Sequence, residues 1–581
     1  MAAAKNVGFA YGFNVHDEDA TIHNRPDTDD IPEAGHLVRD VIYGSNFVAS
    51  HLVHFYHLAA PDFVDVANVG LGLNKGPFCP RYGPNPGDAL YPYYYRIPTV
   101  ISQYLTAQYV IALKIRRICN QIGGLWGGRA PFIQGLTPGG ASPSVSQEAI
   151  DKSREILYEG GVGGTPSAPA AGTILAFIGT PFDFANWVTD TGGDTTKLPI
   201  VGDGTYGGTM MFDVIAAAVF YPEYFWYGNA YERFLAYGVF EQGDPANAIG
   251  DNRLLSRGRK NTGAIYSNQT GVLPATFSDP KPAEWAAPLQ QNVYENIESS
   301  HYLYNGGKGG WRQPLSGETT PEPRRTPTGP AGYEAYSWIK SPRYKDNSDP
   351  LGPGVPYEAG PLARMQVNGD YYAGILYDLG VLGGADGVTI PVGPFAGVKL
   401  PKYGDPGPDL QAIFPSGTFG FMPNLGPAGY NLVYTGGSSL DRYAARQIEC
   451  WKVANALVSW LSRLEAQVGA VTSTTRKPGT DQYYPSSYGW TEAPRGALGH
   501  WMTTDMNTGK IKNYQCVVPS TWNASPRDAL GTPGPAEKAM EDIFVKDIHN
   551  PLEVLRVSHS WDFCTACAVD RVKKEGSKVM E

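Results

Sequence analysis

Two cysteines near the C-terminal end of the chain have the spacing of a metal-binding pair. The segment "SWDFCTACAVD", residues 560–570, contains Cys564 and Cys567. Two thiolates separated by two residues can bind a soft metal, but two ligands rarely complete a coordination sphere. The other four cysteines are too thinly spread for a disulfide framework, and we predict isolated, buried thiols for them: Cys79, Cys119, Cys450 and Cys516. The C-terminal pair therefore needs further ligands from elsewhere.

A second candidate metal cluster consists of His51, His54 and His57, which recur every three residues. That spacing drifts around a helix, and no acidic or thiol partner lies nearby in the sequence. We therefore predict packing and hydrogen-bonding roles for these histidines.

Composition and charge exclude several classes of protein. The chain has 581 residues, 42% of them apolar, and a net charge of −10 without a basic stripe, so nucleic acid is excluded as a partner. No stretch approaches the roughly 18 uninterrupted apolar residues of a membrane helix. The opening residues, "MAAAKNVGFAYGFN", lack the layout of a signal peptide. We expect a chain that is soluble or that reaches a membrane through a partner.

The elements that must position the thiols are predicted to be mainly helical. Apolar spacing predicts long helices over 33–60, 99–122 and 440–467, the second ending at Gly123-Gly124. The 70 glycines and 48 prolines predict long loops, which we place at 141–175 and 240–360. We predict one domain over 1–581, of mainly α class with peripheral β (α+β).

Three C-terminal segments resemble a known family when taken together. They are "TEAPRGALGHW" (491–501), "GKIKNYQCVVPSTWNASPRD" (509–528) and "PLEVLRVSHSWDFCTACAVD" (551–570). In this order and spacing they resemble the large subunit of nickel–iron hydrogenases. "AGHLVRDVIYGSNFVASHLVHFYHLAAPDFVDV" and "LWGGRAPFIQGLTPGG" extend the similarity, which covers most of 33–570. The resemblance implies the hydrogenase large-subunit fold, a bundle of long helices with extended loops.

The resemblance also implies a metal centre and roles for particular residues. In this family two Cys-x-x-Cys pairs hold a NiFe(CN)2CO centre, at which hydrogen is cleaved heterolytically and a thiolate takes the proton. By motif, Cys564 would be the terminal nickel ligand and base, and Cys567 the bridging ligand. The guanidinium of Arg495 would overhang the open metal position, paired with the carboxylate of Asp562.

Further positions follow from the same motifs. Pro494, Pro519 and Ser520 would line the pocket for the cyanide ligands, with Ser520 as a hydrogen-bond donor. The backbone carbonyl of Cys516 would help to hold a magnesium ion. Asp570 replaces the metal-site histidine after which the family is processed, and residues 571–581 form a C-terminal tail.

The first cysteine pair of the family is absent from this chain. Aligning "KNVGFAYGFNVH", residues 5–16, with R-x-C-G-x-C-T-G-x-H places Val7 and Ala10 at the two cysteines. Residues 1–32 are therefore a degenerate motif region, and the family's opening strands have no counterpart before it. Other family residues near the site are replaced by Ser50, Phe132 and Phe563.

Two interpretations of these departures stay open. In the first, the large subunit is split, and a separate N-terminal chain carries the missing Cys-x-x-Cys. Retention of Arg495, Asp562 and both C-terminal thiols favours this interpretation. In the second, the chain is a non-catalytic scaffold that keeps the fold and docking surface, because two thiolates alone would hold nickel weakly. A structural zinc protein has little support, since no second pair stands at zinc-ligand spacing.

Under either interpretation the chain depends on partners. Its six cysteines cannot ligate even one tetrathiolate cluster at the usual spacing, so electrons would leave through an iron–sulfur small subunit. The similarity is to the membrane-associated uptake enzymes. It implies a membrane cytochrome reached through the small subunit, and an extracytoplasmic location reached by co-export with that subunit.

Overall fold

The computed structural model describes residues 1–10, 31–65, 94–180, 183, 209–218, 220–241, 253–261, 297–300, 311–312, 341–344, 355–368, 436–474, 486–505, 507–527, 531–541 and 543–564. Its α-helices are α1 (Ala2–Ala10), α2 (Glu33–Val53), α3 (Thr99–Gly127), α4 (Gln147–Arg154), α5 (Ile174–Ile178), α6 (Met210–Ala218), α7 (Pro361–Asn368), α8 (Ser439–Glu465), α9 (Pro519–Asn523), α10 (Pro535–Met540) and α11 (Leu552–Ser560). The strands are β1 (Leu136–Thr137), β2 (Gly140–Ala141), β3 (Arg233–Val239), β4 (Leu255–Asn261), β5 (Ile297–Ser300), β6 (Trp311–Arg312), β7 (Ser341–Tyr344), β8 (Glu358–Ala359), β9 (Ser486–Ala493), β10 (Gly496–Asp505) and β11 (Lys510–Val517).

Helix α2 is the centre of the helical core and packs against both α3 and α8. Its apolar side chains at helical spacing, including Leu37, Val41 and Leu52, are buried. Gly44 permits the close approach of α8, because a Cβ atom there would lie 2.9 Å from the Trp460 ring. The prediction of a helix over 33–60 is confirmed, with its last turn formed as a π-helix over His54–Ala59.

The start of α8 shows how local chemistry ends a loop and begins a helix. Ser438 and Asp441 form a capping box, in which the Asp441 N–H donates to Ser438 Oγ (3.2 Å) and the Ser438 N–H donates to Asp441 Oδ2 (2.9 Å). These bonds satisfy backbone donors that have no partner inside the helix. The prediction of a helix over 440–467 is confirmed.

The predicted end of α3 at Gly123-Gly124 is wrong. The helix continues to Gly127 and ends at Gly128, whose φ of 72° is the left-handed conformation favoured by glycine. The extra turn buries Trp126, whose Nε1 donates to Ser153 Oγ at 2.9 Å. Tertiary packing here outweighs the cost of about 1 kcal/mol for each glycine inside a helix.

The stretch 141–175, which the sequence assigned to a loop, contains regular structure. It includes α4, a π-helix over Glu155–Glu159 and the start of α5. The side chains of Ile150 and Leu157 lie in the main hydrophobic core. The sequence prediction failed because these helices are too short to show a sustained period. Within 240–360, the described residues include β4 to β8.

The sheets lie at the periphery of the helical core, and three of the segments that follow their strands lead to the same region of the molecule. Strands β9, β10 and β11 form an antiparallel sheet in the order β11-β10-β9, and β3 pairs with β4 and β8. Three connecting segments meet near the end of α11: the turn between β9 and β10, the residues after β8, and the residues after β11. The predicted α+β class, with long helices and peripheral sheets, is confirmed.

The predicted histidine roles are confirmed. His51 Nε2 lies 2.8 Å from Glu449 Oε1, His54 Nε2 lies 2.7 Å from the His559 carbonyl oxygen, and His57 Nε2 lies 3.1 Å from the Tyr109 carbonyl oxygen. All three rings therefore bind protein groups across the helical core.

The predicted burial of the isolated cysteines is correct for two of them. The side chains of Cys119 and Cys450 are buried in the core, whereas Cys516 is only half-buried on β11, so its prediction is wrong. Strand β11 lies at the edge of its sheet, where side chains stay partly in water. Cys79 lies outside the described residues. No helix in the described ranges is both long and apolar enough to cross a membrane.

A buried carboxyl group lies where α6 meets the α2–α3 pair. Asp213 Oδ2 accepts hydrogen bonds from the Tyr56 hydroxyl (2.5 Å) and from Gln108 Nε2 (3.1 Å). Burial raises the pKa of Asp213 from 3.8 to about 7, against the effect of the hydrogen bonds from Tyr56, Tyr104 and Gln108. Because the folded state holds this proton more tightly, Asp213 favours folding at low pH and loses that contribution as the pH rises toward 7.

We expect Asp213→Asn to remove this pH dependence. Relative to the wild type, the free energy of unfolding of the variant should rise by about 2.5 kcal/mol between pH 5 and pH 8. Urea unfolding midpoints of both proteins at the two pH values measure the difference. Asp151→Asn, at an exposed position on α4, is the matched control and should show no such trend. An unchanged pH slope in Asp213→Asn would contradict the assignment.

Candidate active site

Three segments distant in sequence bring Arg495, Ser520, Asp562 and Cys564 together. Arg495 lies between β9 and β10, and Asp562 and Cys564 follow α11. Arg495 Nη2 lies 3.1 Å from Asp562 Oδ1, and Arg495 Nε donates to the Asp562 carbonyl oxygen at 3.1 Å. The backbone N–H of Cys564 donates to Ser520 Oγ at 2.9 Å. The structure thus forms the arginine–aspartate pair that the motifs predicted.

Asp562 is held in an unusual conformation and in a strongly positive environment. Its φ of 55° is left-handed, which is uncommon for a residue other than glycine. Burial would raise the pKa of its carboxyl group, but His54, in its protonated form, and the guanidinium groups of Arg495 and Arg446 keep that pKa below its ordinary value. The contact with Arg495 is an ion pair rather than a well-aligned hydrogen bond, because neither carboxylate oxygen has a partner in hydrogen-bonding geometry among the described residues.

Arg446 of α8 forms a second positive layer behind Asp562. Its Nη1 donates to the carbonyl oxygens of Ser560 (2.8 Å) and Arg442 (2.9 Å). Burial lowers the pKa of this guanidinium to about 10, against the opposing effect of Asp562, so Arg446 stays charged at neutral pH. The carboxylate of Asp562 is therefore stabilised by the charges of two arginines, the buried Arg446 and the 33% exposed Arg495.

His54 contributes a neutral base to the same region. Because Nε2 lies 2.7 Å from the His559 carbonyl oxygen, this nitrogen carries the proton and Nδ1 is the free base. Burial and the charge of Arg446 lower the pKa of His54 to about 3. The ring thus stays neutral at all physiological pH values.

An ion pair and a buried arginine fix the end of α11, from which Asp562 and Cys564 project. His559 Nδ1 lies 2.6 Å from Asp62 Oδ2, and this carboxylate raises the pKa of His559 although burial acts in the opposite direction. Arg556 donates from Nε (3.0 Å) and Nη2 (2.9 Å) to the Asp62 carbonyl oxygen. The position of the cysteine-bearing segment is therefore tied to the end of the α2 region.

The predicted pocket residues occupy ordered positions. Pro519 is the first residue of α9, and the side chains of Pro519 and Ser520 are buried. The Pro494 carbonyl oxygen accepts a hydrogen bond from Arg364 Nη2 at 2.8 Å. Ser520 was predicted as a donor, and here its oxygen accepts from Cys564. A hydroxyl group can do both at once.

The remaining predicted positions lie elsewhere or outside the description. Cys516 pairs with His500 in the β10–β11 ladder, and the magnesium role of its carbonyl stays a prediction. Cys567 and Asp570 lie outside the described residues, as does the tail 571–581. Phe563 stacks in parallel on Trp561, with ring centroids 6.4 Å apart, and Phe132 is an exposed residue.

Residues 5–10, the described part of the segment that we aligned with the first cysteine motif, lie in helix α1. This helix packs against β9 and β10, with Asn6 Oδ1 accepting from Ser487 Oγ at 2.6 Å and Lys5 paired with Glu241. Val7 and Ala10, which stand at the cysteine positions, both belong to this helix. Neither side chain offers a metal ligand.

The described residues contain no complete metal site. Among them, no three His, Cys, Asp or Glu side chains come close enough together to hold a metal ion. Cys564 is half-buried, beside the Arg495–Asp562 pair and bound through its N–H to Ser520. One ordered thiol near a guanidinium suits a soft metal as one ligand of a larger set.

Sequence reasoning missed the charged groups that surround this site. Arg446 lies on a predicted helix, where it was not distinguished from other polar residues, and the partners of Arg364 were not predicted. A charged residue within an apolar helical stripe is a signal that could have found Arg446, since such a residue must have a buried partner.

The fold and the site agree with comparisons to known proteins. The sequence profile described as "Nickel-dependent hydrogenase" matches residues 22–72, 206–373 and 430–570. The chain is 28% identical to the periplasmic [NiFeSe] hydrogenase large subunit of Desulfomicrobium baculatum, over 92% of this chain and 78% of that protein. It is 27% identical to the hydrogenase-1 large chain of Escherichia coli, over 95% and 83%.

A third relative and a solved structure extend the agreement. The chain is 26% identical to the uptake hydrogenase large subunit of Rhizobium leguminosarum, over 94% of this chain and 83% of that protein. The structure of the Dm. baculatum [NiFeSe]-hydrogenase superposes with a TM-score of 0.61 at 25% identity, covering 98% of this chain and 86% of that one. The chain belongs to the nickel-dependent hydrogenase family, as a homologue of its large subunits.

Two replacements of Asp562 distinguish the contribution of its charge to stability from the contribution of its left-handed backbone conformation. Asp562→Asn and Asp562→Ala both remove the carboxylate that pairs with Arg495 and offsets the charge of the buried Arg446, so both should lower the free energy of unfolding at pH 7. Asp562→Ala should lower the free energy of unfolding by about 1 kcal/mol more than Asp562→Asn does, because asparagine tolerates a left-handed φ better than alanine. Urea unfolding midpoints give the comparison.

The pH dependence of Asp562→Asn provides the control. Since the folded-state pKa of Asp562 is depressed, its contribution is present above the unfolded-state value and is lost as the pH falls through the folded-state value. The difference in free energy of unfolding between the wild type and Asp562→Asn should therefore become smaller as the pH falls from 7 toward 3.5. This trend is opposite in sign to the one expected for Asp213. If the difference in free energy of unfolding between the two proteins does not change with pH, the assignment of an ion pair to Asp562 is refuted.

Proposed function

We propose that this chain is one part of a split hydrogenase large subunit, which works in the reversible heterolytic cleavage of hydrogen. A separate N-terminal chain supplies the first Cys-x-x-Cys pair, and this chain supplies Cys564 and Cys567. Electrons pass to an iron–sulfur small subunit. The observation that carries this proposal is the Arg495–Asp562 ion pair beside the ordered Cys564 backbone.

The proposed centre is a NiFe(CN)2CO group with a magnesium ion near the Cys516 carbonyl, and when bound it supplies the redox-active metal at which hydrogen is cleaved. Cys564 provides a ligand and accepts the proton at its Sγ atom. Arg495 places a fixed positive charge over the pocket, and Asp562 orients that charge. Ser520 holds the Cys564 backbone, and its hydroxyl hydrogen can donate to a cyanide ligand in the pocket lined by Pro494 and Pro519.

A second function, that of a non-catalytic scaffold, is favoured by one specific observation. The segment at the first cysteine motif is a folded helix with no ligand side chain at Val7 or Ala10, and it packs against β9 and β10. A scaffold would keep the docking surface for the small subunit without building the metal centre.

The proposed setting follows the relatives. Proteins similar to this chain include a periplasmic hydrogenase, a quinone-reactive hydrogenase and an uptake hydrogenase. We infer that the complex associates with a membrane cytochrome through the small subunit on the extracytoplasmic side. Asp570 takes the place of the terminal metal-site histidine.

Nickel content of the natively purified complex tests the proposal. By plasma mass spectrometry we expect about one nickel per copy of this chain, together with a small partner that carries Cys-x-x-Cys. Cys564→Ser should lower the nickel content at least about tenfold, because a hydroxyl group is a poor ligand for a soft metal. Cys516→Ser is the matched control, since it changes a half-buried thiol but keeps the backbone carbonyl.

The scaffold function predicts a different result. In that case the nickel of the sample would be accounted for by a second, complete large subunit, and Cys564→Ser would leave it unchanged. That outcome would overturn the split-subunit proposal.

A further inference from the structure

A buried arginine on α7 binds the two peptide carbonyl groups that directly precede Arg495. Arg364 is fully buried, and it donates from Nη1 to the Ala493 carbonyl oxygen (2.9 Å) and from Nη2 to the Pro494 carbonyl oxygen (2.8 Å). These contacts fix the backbone at the point where β9 ends and the pocket arginine begins.

The orientation of Arg364 is itself fixed by two carboxylates. Arg364 donates from Nε (2.7 Å) and Nη2 (2.5 Å) to Glu449, and from Nη1 (2.6 Å) to Glu492. With the two carbonyl contacts, the guanidinium makes five hydrogen bonds, as many as it has N–H groups. Glu449 also binds His51, and Glu492 accepts from the Tyr237 N–H. The planar group therefore has one orientation.

Two glycines confine the Arg495 backbone from the other side. Gly360 has a φ of 125°, and a Cβ atom there would lie 3.0 Å from the Arg495 carbonyl oxygen. Gly496 has a φ of 137°, and a Cβ atom there would lie 2.7 Å from the Gly360 nitrogen. The backbone of Arg495 is thus enclosed between the turn after β8 and the Arg364 network.

We propose that Arg364 is a positioning residue for Arg495. The Arg495 side chain is 33% exposed, and its contacts within the described part of the chain are those of Nη2 and Nε with Asp562, so the orientation of its guanidinium depends on a fixed backbone. A lysine could not replace Arg364, because one ammonium group cannot bridge two carboxylates and two carbonyl oxygens in a plane. The inference rests on the proposed function for its catalytic meaning, but its geometry can be tested separately.

Chemical modification of Arg495 by phenylglyoxal tests the geometry. The reagent is applied to the native complex, and the rate at each arginine is resolved by peptide mass spectrometry. In the Arg364→Lys variant we expect the rate of phenylglyoxal modification of Arg495 to rise roughly two- to fivefold. This factor corresponds to the loss of an ion pair of a partly exposed side chain. An unchanged rate at Arg495 would overturn the proposal.

Controls distinguish positioning from general loosening. Arg343→Lys alters another fully buried arginine, which donates to the carbonyl oxygens of Pro342 and Thr532 (both 3.0 Å), and it should leave the rate at Arg495 unchanged. An equal rise in Arg343→Lys would overturn the proposal. Modification of the exposed Arg116 calibrates the reagent in every sample.

A milder variant keeps the test decisive if Arg364→Lys does not fold. Glu492→Gln is isosteric and still accepts a hydrogen bond, but it removes one of the two charges that hold Arg364. It should raise the rate at Arg495 in the same direction by a smaller factor. No rise in this variant would likewise count against the proposal.

Hydrogen-dependent dye reduction by the same complexes tests the link to catalysis. If Arg364 acts through Arg495, the double variant Arg364→Lys/Arg495→Lys should be no less active than Arg495→Lys alone. Multiplicative losses would overturn the positioning role. If the complex with the wild-type chain contains no nickel in this chain and is inactive, the proposed function is refuted. The modification rates would still test whether Arg364 positions Arg495.

Discussion

Charge balance in the interior is the constraint on which the site depends. A buried ion is tolerated only when a counter-ion and hydrogen bonds replace its water, so each buried arginine here fixes the place of its partners. Arg442 holds Glu358 through Nε (2.8 Å) and Nη2 (2.9 Å), and Arg364 holds Glu449 and Glu492. Through these pairs α8 determines where β8, α7 and the end of β9 lie.

The same constraint bears on why the pocket is present at all. Buried ion pairs are seldom the most stable filling of a core, since apolar side chains of similar volume often stabilise a protein more. The left-handed backbone at Asp562 adds a conformational cost, since this region is unfavourable for residues other than glycine. Because folding stability alone does not account for this group of residues, its presence supports a retained role in binding or chemistry.

Sequence patterns predicted those features that depend on local chemistry. Long helices over α2 and α8 follow from apolar spacing, and the pairing of Arg495 with Asp562 was expected from the resemblance of the C-terminal motifs to those of the family. The continuation of α3 through Gly123 could not be predicted, because it depends on the burial of Trp126 against α4. The partners of Arg364 come from two other elements, and no local pattern links them.

The contact of His54 with the end of α11 has a consequence for biosynthesis. His54 and His559 are 505 residues apart, and Asp62 and Arg556 are 494 apart. At ribosomal rates of about 5–20 residues per second, α2 waits on the order of 25–100 s for these partners to be made. Until then a helix rich in apolar and uncompensated polar groups stays without its final neighbours. The contacts that fix the end of α11 can therefore form only after nearly the whole chain has been synthesised.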